Sequence, residues 1–307
     1  MRNWQILILL VLCNLFWAGN YVFGKYVISE ITPLWITFSR WVLALFFLFP
    51  IAYYFEKIEW KSIKDEWLLL TGMGVLGIIG YNLLLYSALA YTTATNAALV
   101  SALNPGIIVL VSVFLTGERV SRLQAAGFLL SLTGVLVILT NGELSRLLQA
   151  NYNQGDLLML AAVLIWTAYS LISKKIQTPP ITATAVSSAI AVVLMAPFAI
   201  LQGINFAAIK PLALGGLIYI ILFPSVCSFV FWNLSVKAIG ASKCGIFLNL
   251  IPVFTAGICV MLGERISLAQ VLGGLSVFLG VYLTTGMLDR LLLKQEKLID
   301  NKGESAN

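Results

Sequence analysis

Ten runs of apolar residues, each 19 to 24 residues long, alternate with short polar breaks along a chain of 307 residues. They cover residues 4–24, 34–54, 67–89, 95–116, 121–140, 156–174, 181–201, 211–234, 242–262 and 267–287. A hydrocarbon layer about 30 Å thick needs roughly 20 apolar residues per helix, so every run can cross one. None of the runs alternates with a period of two, and each is about twice too long for a barrel strand. The pattern therefore predicts helices 1 to 10, all transmembrane. The first run could be taken for a cleaved leader, but only Arg2 precedes it, and Trp17, Asn20 and Tyr21 stand where small residues would be needed. It is read as a retained helix.

The pattern is also written twice. Ala94 is followed by Pro105, Gly117-Glu118-Arg119-Val120-Ser121, Gln124, Gly127 and Gly134; Ala241 is followed by Pro252, Gly263-Glu264-Arg265-Ile266-Ser267, Gln270, Gly273 and Gly280. From the Glu onward every offset matches, and the spacing between copies is about 147 residues. A period that long means two related halves, not a solenoid unit. Residues 1–140 form the first repeat, 141–155 a polar connecting loop, 156–287 the second repeat and 288–307 a charged tail.

Composition agrees with the spans: 60% of residues are hydrophobic and 10% charged, with a mean hydropathy of +0.95. Soluble domains carry about 25% charged residues. The net charge of +6 is spread over alternate loops and the tail, as membrane insertion and anionic headgroups favour; a nucleic-acid partner is not expected. Fourteen Lys and Arg fall on one side of the spans and four on the other, with Arg40 inside helix 2. The excess places both termini in the cytoplasm of a multi-pass plasma-membrane protein. It also puts Glu118 and its twin Glu264 on opposite sides, so the halves must be inverted. The predicted fold is an all-α integral membrane protein, ten transmembrane helices arranged as two inverted-topology five-helix repeats, the plan by which many carriers alternate access to a midplane site. Cys13, Cys227, Cys244 and Cys259 lie in apolar spans without ligand spacing, and no cofactor or metal is expected.

The paired Pro-containing helices, Gly-Glu-Arg turns and Gly-rich closing helices resemble the paired EamA domains of the ten-helix drug/metabolite transporter superfamily. Ala94-Thr95-Asn96-Ala97-Ala98-Leu99, and Gly240 to Lys243 leading into Phe247 to Phe254, are similar to that family's fourth and ninth helices. The resemblance spans about residues 5–287. It implies transport, more often export, of amino acids, other metabolites or drugs; the family also holds importers.

The residues themselves supply a candidate site. Asn14, Trp17, Tyr21 and Lys25 form one stripe of helix 1, which either packs against another helix or walls a cavity. Arg40 in helix 2 either snorkels outward or sits at a cavity mouth. Helix 3 offers Asn82 and Tyr86, helix 4 Ser101 and Asn104, helix 6 Trp166 and Ser170, helix 8 Ser228 and Trp232, and helix 9 Asn249. Pro105 and Pro252 break helices 4 and 9 at corresponding positions, each denying a hydrogen bond to the carbonyl four residues back. In hydrocarbon such a carbonyl must find protein, water or substrate, which makes these prolines the hinges of the expected site. Asn249 aligns with Ala102 and not with Asn104, so the two half-sites differ chemically. The glycines of helices 5 and 10 suit close packing within the scaffold and would also suit a homodimer seam. Glu56 to Glu66 reads as a solvated cytoplasmic connector.

These features favour an alternating-access carrier of small organic solutes, its partners being that substrate and the lipid bilayer. A facilitator or uptake carrier would use the same parts. An intramembrane enzyme fits less well, since the chain has no His for Ser-His or His-metal chemistry and no paired membrane aspartates. A structural membrane protein would have no use for opposed, Pro-broken halves.

Overall fold

The structure, a computed structural model, describes residues 3–107, 111, 121–140, 142–143, 153–173, 175–205, 209–239, 244 and 246–284. The Glu118 turn, Lys174, Ser242, Gly245 and the tail after Met287 lie outside the described residues.

All regular structure among the described residues is helical. Helix α1 is Asn3–Val27 and α2 is Pro33–Phe55, the latter opened by Pro33 and capped by the Thr32 hydroxyl, which accepts from the Trp35 N–H at 3.4 Å. A short connecting helix, Trp60–Asp65, leads to α3, Trp67–Tyr91. Helix α4 begins as Ala94–Ser101 behind the Thr93 cap, α5 is Arg122–Thr140, α6 is Gln154–Ser173 and α7 is Pro180–Gln202. Helix α8 is built from Pro211–Ile220, Ile221–Cys227 and Ser228–Ile239; α9 is Leu250–Met261 and α10 is Leu268–Thr284. Helices α1, α2, α3, α6, α7 and α8 are each long and apolar enough to cross a membrane, and shorter apolar stretches lie within α5, α9 and α10. Their outer faces carry exposed Phe46, Leu201 and Met261, as lipid contact requires.

The internal copy extends to the backbone. Pro180 lies 147 residues after Pro33, and Gln202 the same distance after Phe55, with internal prolines Pro50 and Pro197 again in register. Helix α3 widens to a π-helix over Gly74–Gly80 and α8 does so over Ile221–Cys227, once more 147 residues on. Counterpart helices pack antiparallel, as inversion demands. Gly134 and Gly127 of α5 meet Gly273 and Gly280 of α10 in that crossed order, and a Cβ on Gly134 would fall 2.6 Å from the Gly273 carbonyl oxygen. The small-residue faces of α5 and α10 are thus used against each other within one chain.

The repeated Gly-Glu-Arg turn is explained locally in its second copy. Gly263, at φ +89°, ends α9 with the Glu264 N–H reaching back to the Cys259 carbonyl at 2.9 Å, a Schellman arrangement. Ser267 and Gln270 then form a capping box that opens α10, the Gln270 N–H to the Ser267 hydroxyl at 3.2 Å and the Ser267 N–H to the Gln270 side chain at 2.8 Å.

Helices α2 and α7 are strapped at both ends. At one, Thr32 donates to Gln202 at 2.7 Å, and Lys210, at the start of α8, pairs with Glu30 just before α2 at 2.8 Å. At the other, the expectation of a merely solvated connector is corrected. Glu56 accepts from the Ile181 and Thr182 N–H groups at 3.0 and 2.7 Å, and Glu66 from those of Gln177 and Thr178 at 2.8 and 2.9 Å. Two carboxylates therefore sit on and just before the positive end of α7, where unpaired backbone donors and the helix dipole favour them. Burial alone would raise the Glu66 carboxyl, but the donors from Gln177, Thr178 and Ser62 outweigh it and hold it below the ordinary carboxylate range.

Two outcomes follow from this packing. Gly134→Val should destabilise the fold by about 1–3 kcal/mol through overpacking, whereas Gly257→Ala, whose added Cβ meets nothing within 4 Å, should not; thermal unfolding in detergent compares them. Because the Glu66 pKa is depressed, its stabilising effect is complete above the unfolded value near ~4.3 and is lost as pH falls through the folded value. Wild type should exceed Glu66→Gln in melting temperature by a constant margin near neutrality, and the margin should close in acid.

Candidate functional site

The site is assembled where the two π segments leave backbone groups to be satisfied by side chains. In α3 the Asn82 amide donates to the Gly77 and Ile78 carbonyls at 3.1 and 2.8 Å. In α8, Pro224 has no N–H to give, and the Ser225 hydroxyl donates to the Ile220 carbonyl at 2.8 Å. A residue that satisfies a widened helix still has acceptor capacity left, and in both cases Arg40 takes it. Its Nε donates to the Ser225 hydroxyl at 2.8 Å, and its Nη1 to Asn82 Oδ1 at 2.9 Å, to the Tyr86 hydroxyl at 2.5 Å and, longer, to Asn20 Oδ1 at 3.4 Å. Tyr86 passes its own proton to Asn20 Oδ1 at 2.8 Å. The guanidinium carbon lies 5.3 Å from the Trp41 ring centre and 5.8 Å from that of Tyr86, within cation–π range.

Arg40 is only 2% exposed, so the expectation that it snorkels outward is overturned; it faces inward and lines a cavity. The cavity holds about 540 Å³ of non-atom space, solvent at its opening included, and is walled by Trp17, Asn20, Tyr21, Arg40, Tyr81, Asn82, Ser101, Asn104, Trp166, Phe229, Leu248 and Ile251. These come from α1, α2, α3, α4, α6, α8 and the start of α9, hence from both repeats. Helix α2, read from the sequence as mostly apolar, contributes the one charged wall residue.

Helices α4 and α9 bring their parts to the wall through local tightening ahead of the prolines. After Ser101 the α4 chain turns at Ala102 and Leu103, the Leu103 N–H bonding the Val100 carbonyl at 3.2 Å, and helix resumes at Asn104 and buried Pro105. Ahead of Pro252 in α9 lies a 3₁₀ turn, Ile246–Asn249. Ser101 and Leu248 are counterparts, as are Asn104 and Ile251, and all four line the cavity. The first repeat thus presents polar groups where the second presents apolar ones. Trp17 and Trp166 meet edge to face with centres 6.2 Å apart, and Tyr81 lies 4.8 Å from Trp166. The Tyr21 and Tyr81 hydroxyls are 3.2 Å apart. Asn104 Oδ1 is buried without a hydrogen-bond partner among the described residues.

Of the residues expected from the sequence, Trp17, Tyr21, Asn82, Ser101, Asn104 and Trp166 are wall residues. Tyr86 stands behind the wall as a support of Arg40. The others are placed elsewhere. Asn14 donates to the Leu10 carbonyl at 2.6 Å within α1, Ser170 to the Trp166 carbonyl at 2.7 Å within α6, and Ser228 to the Cys13 carbonyl at 3.1 Å across the α1–α8 contact. Trp232 packs on Trp17 at 5.5 Å outside the wall, and Asn249 keeps an unpartnered Oδ1 there. Sequence reasoning missed Asn20, Tyr81, Phe229, Leu248 and Ile251. Asn20 lies three residues beyond Trp17 on the same helical face, a signal that was present; Leu248 and Ile251 could have been found only as the counterparts of Ser101 and Asn104.

The model of the EamA-like transporter family matches residues 4–140 and 153–286. The chain belongs to the EamA-like transporter family. It is accordingly a multi-pass membrane transporter of the drug/metabolite transporter type. Among its relatives are the uncharacterized transporter YyaM of Bacillus subtilis (strain 168), 27% identical over 94% of this chain and 96% of that one, and an uncharacterized transporter of Archaeoglobus fulgidus, 29% identical over 91% and 96%. The aromatic amino acid exporter YddG of Ancylobacter novellus is 29% identical over 66% of this chain and 73% of its own. A crystal structure 21% identical in sequence superposes with a TM-score of 0.67 over 95% of this chain and 99% of the other, a likeness of fold alone.

Within this EamA-like transporter, Asn82 should matter more to stability than Asn14. Asn82→Leu leaves two carbonyls and a guanidinium N–H short of partners, and hydrogen bonds to charged groups are worth about 1.5–3 kcal/mol. Asn14→Leu removes an already unpartnered acceptor and one local bond, to the Leu10 carbonyl of its own helix, and should cost less. Thermal unfolding of the two variants in the same detergent checks the order.

Proposed function

We propose that this transporter is an alternating-access carrier that exports small organic metabolites such as amino acids or amphipathic drugs across the plasma membrane, with both termini in the cytoplasm. The observation that carries this reading is the cavity itself, enclosed by both inverted repeats at the level of their helix breaks. A site shared by two opposed halves is reached from either side when one half rocks against the other, and a fixed polar and aromatic wall is what a small solute needs for orientation. Export is supported by the likeness to the aromatic amino acid exporter YddG, and inward orientation of the termini by the excess of Lys and Arg on that side. The absence of His from the chain supports transport in place of catalysis.

The wall residues nearest the breaks should be indispensable. Asn104→Leu and Trp17→Ala are each expected to abolish counterflow into proteoliposomes while leaving membrane insertion and yield unchanged, tested with a panel of amino acids, nucleosides, sugars and cationic dyes, with and without a pH gradient. Saturable, trans-stimulated flux establishes a carrier, whereas linear flux without exchange establishes a facilitator. Wild-type flux in both variants removes the cavity from the transport path.

A further inference from the structure

A guanidinium has five N–H donors, and Arg40 does not use them all. Nε and Nη1 are engaged with Ser225, Asn82, Tyr86 and Asn20, while Nη2 has no hydrogen-bond partner among the described residues. Nor does any described carboxylate lie within ion-pair distance; the ion pair found there joins Lys210 to Glu30 at the surface. A permanent charge held at 2% exposure in a membrane protein without a counter-ion is costly unless something negative arrives to meet it. Four supports fix the guanidinium in place, which is more than burial of a neutral residue would need. The position has no such residue in the other half, where the counterpart of Arg40 is Ser187, its hydroxyl bonded within α7 to the Thr184 carbonyl at 3.1 Å.

The rest of the lining states what accompanies the charge. Trp166, Phe229, Leu248 and Ile251, all from the second repeat, line the same cavity with rings and aliphatic groups. We propose that Arg40 is the anion-binding point of this cavity, taking the carboxylate of a small organic acid or zwitterion whose apolar body lies against the second-repeat wall. With Nε and Nη1 engaged, the two N–H groups of Nη2 remain, and a hydrogen bond from a charged donor to a carboxylate oxygen is of the strong, charge-assisted kind. This rests on the cavity being the transport site, and it narrows the solutes to those carrying an anionic group; cationic dyes are disfavoured.

The test uses three probes of one shape, 3-phenylpropionate, 3-phenylpropanamide and phenethylamine, titrated against the purified full chain in chloride-free buffer and followed by tryptophan fluorescence, with sulfate as a fourth titrant. Wild type is expected to bind the carboxylate at least about tenfold more tightly than the amide, a gap of about 1.4 kcal/mol, and sulfate weakly. Arg40→Gln should erase the gap, and Arg40→Lys, which keeps the charge but not the planar group that Ser225, Asn82, Tyr86 and Asn20 hold in place, should narrow it. Equal affinity for carboxylate and amide in wild type overturns the inference without recourse to any variant, as does failure of 3-phenylpropionate to bind or sulfate binding as tightly. The same probes in proteoliposome exchange separate the two readings. Carboxylate preference without exchange keeps the anion site and removes the carrier. Exchange of amide, amine and acid at equal rates keeps the carrier and removes the anion site.

Discussion

In hydrocarbon no backbone group can turn to water, so every departure from regular helix must be satisfied from within the protein. That constraint locates the centre of this molecule. The described helices depart from regular α geometry at the π segments of α3 and α8 and at the tightened turns ahead of Pro105 and Pro252, and residues in or next to these regions, Tyr81 and Asn82, Phe229, Ser101 and Asn104, and Leu248 and Ile251, reach one cavity. Asn82 and Ser225 show the mechanism, each giving its proton to a carbonyl of the widened turn and keeping an oxygen for Arg40. The polar groups that repair the backbone are therefore the same ones that hold the charge, and neither could be removed without exposing the other.

Duplication supplied the breaks in pairs, but the pairs did not keep the same side chains. The π segments and the prolines of α2, α4, α7 and α9 remain 147 residues apart. Across that register Arg40 faces Ser187, Asn82 faces Phe229, Ser101 faces Leu248 and Asn104 faces Ile251. Backbone geometry is what the two copies have kept. Side-chain chemistry has diverged, the first repeat bringing Asn20, Arg40, Asn82, Ser101 and Asn104 to the cavity and the second Trp166, Phe229, Leu248 and Ile251.

Much of this was legible in the sequence because it follows from length and spacing. Helices read as 34–54 and 181–201 are found as Pro33–Phe55 and Pro180–Gln202, since the Thr-Pro and Pro-Pro starts and apolar content leave little choice. The cavity-facing Trp17, Asn82 and Asn104 were visible as polar or aromatic positions on otherwise apolar faces. What could not be read is where a side chain with several partners ends. Arg40 had two open readings because its supports come from α1, α3 and α8, up to 185 residues away, and no local pattern announces a π segment in Gly74–Gly80. Asn14 and Ser228 misled for the same reason in reverse. Their spacing resembles that of wall residues, but each is consumed by a nearby carbonyl, one in its own helix and one across a helix contact. Glu56 and Glu66 looked like solvated loop acids because the α7 donors they meet are more than 100 residues distant.

The straps on α2 and α7 bear on the frame around the cavity. A helix pair tied by Thr32 to Gln202 at one end and by Glu56 to the start of α7 at the other resists sliding, because any shift along the axis breaks contacts at both ends together, while Glu66 at the start of α3 and Lys210 at the start of α8 join those helices to the same ends. Helices α5 and α10, in backbone contact through their glycines, are a second tied pair. Each pair joins counterparts from opposite repeats, and the cavity is walled by α2 together with α1, α3, α4, α6, α8 and α9. Arg40 projects from a tied helix into that cavity. Its partners come from α1, α3 and α8, so the charge is braced by three of the other wall helices as well as by the ties of its own, which fixes its position in the wall.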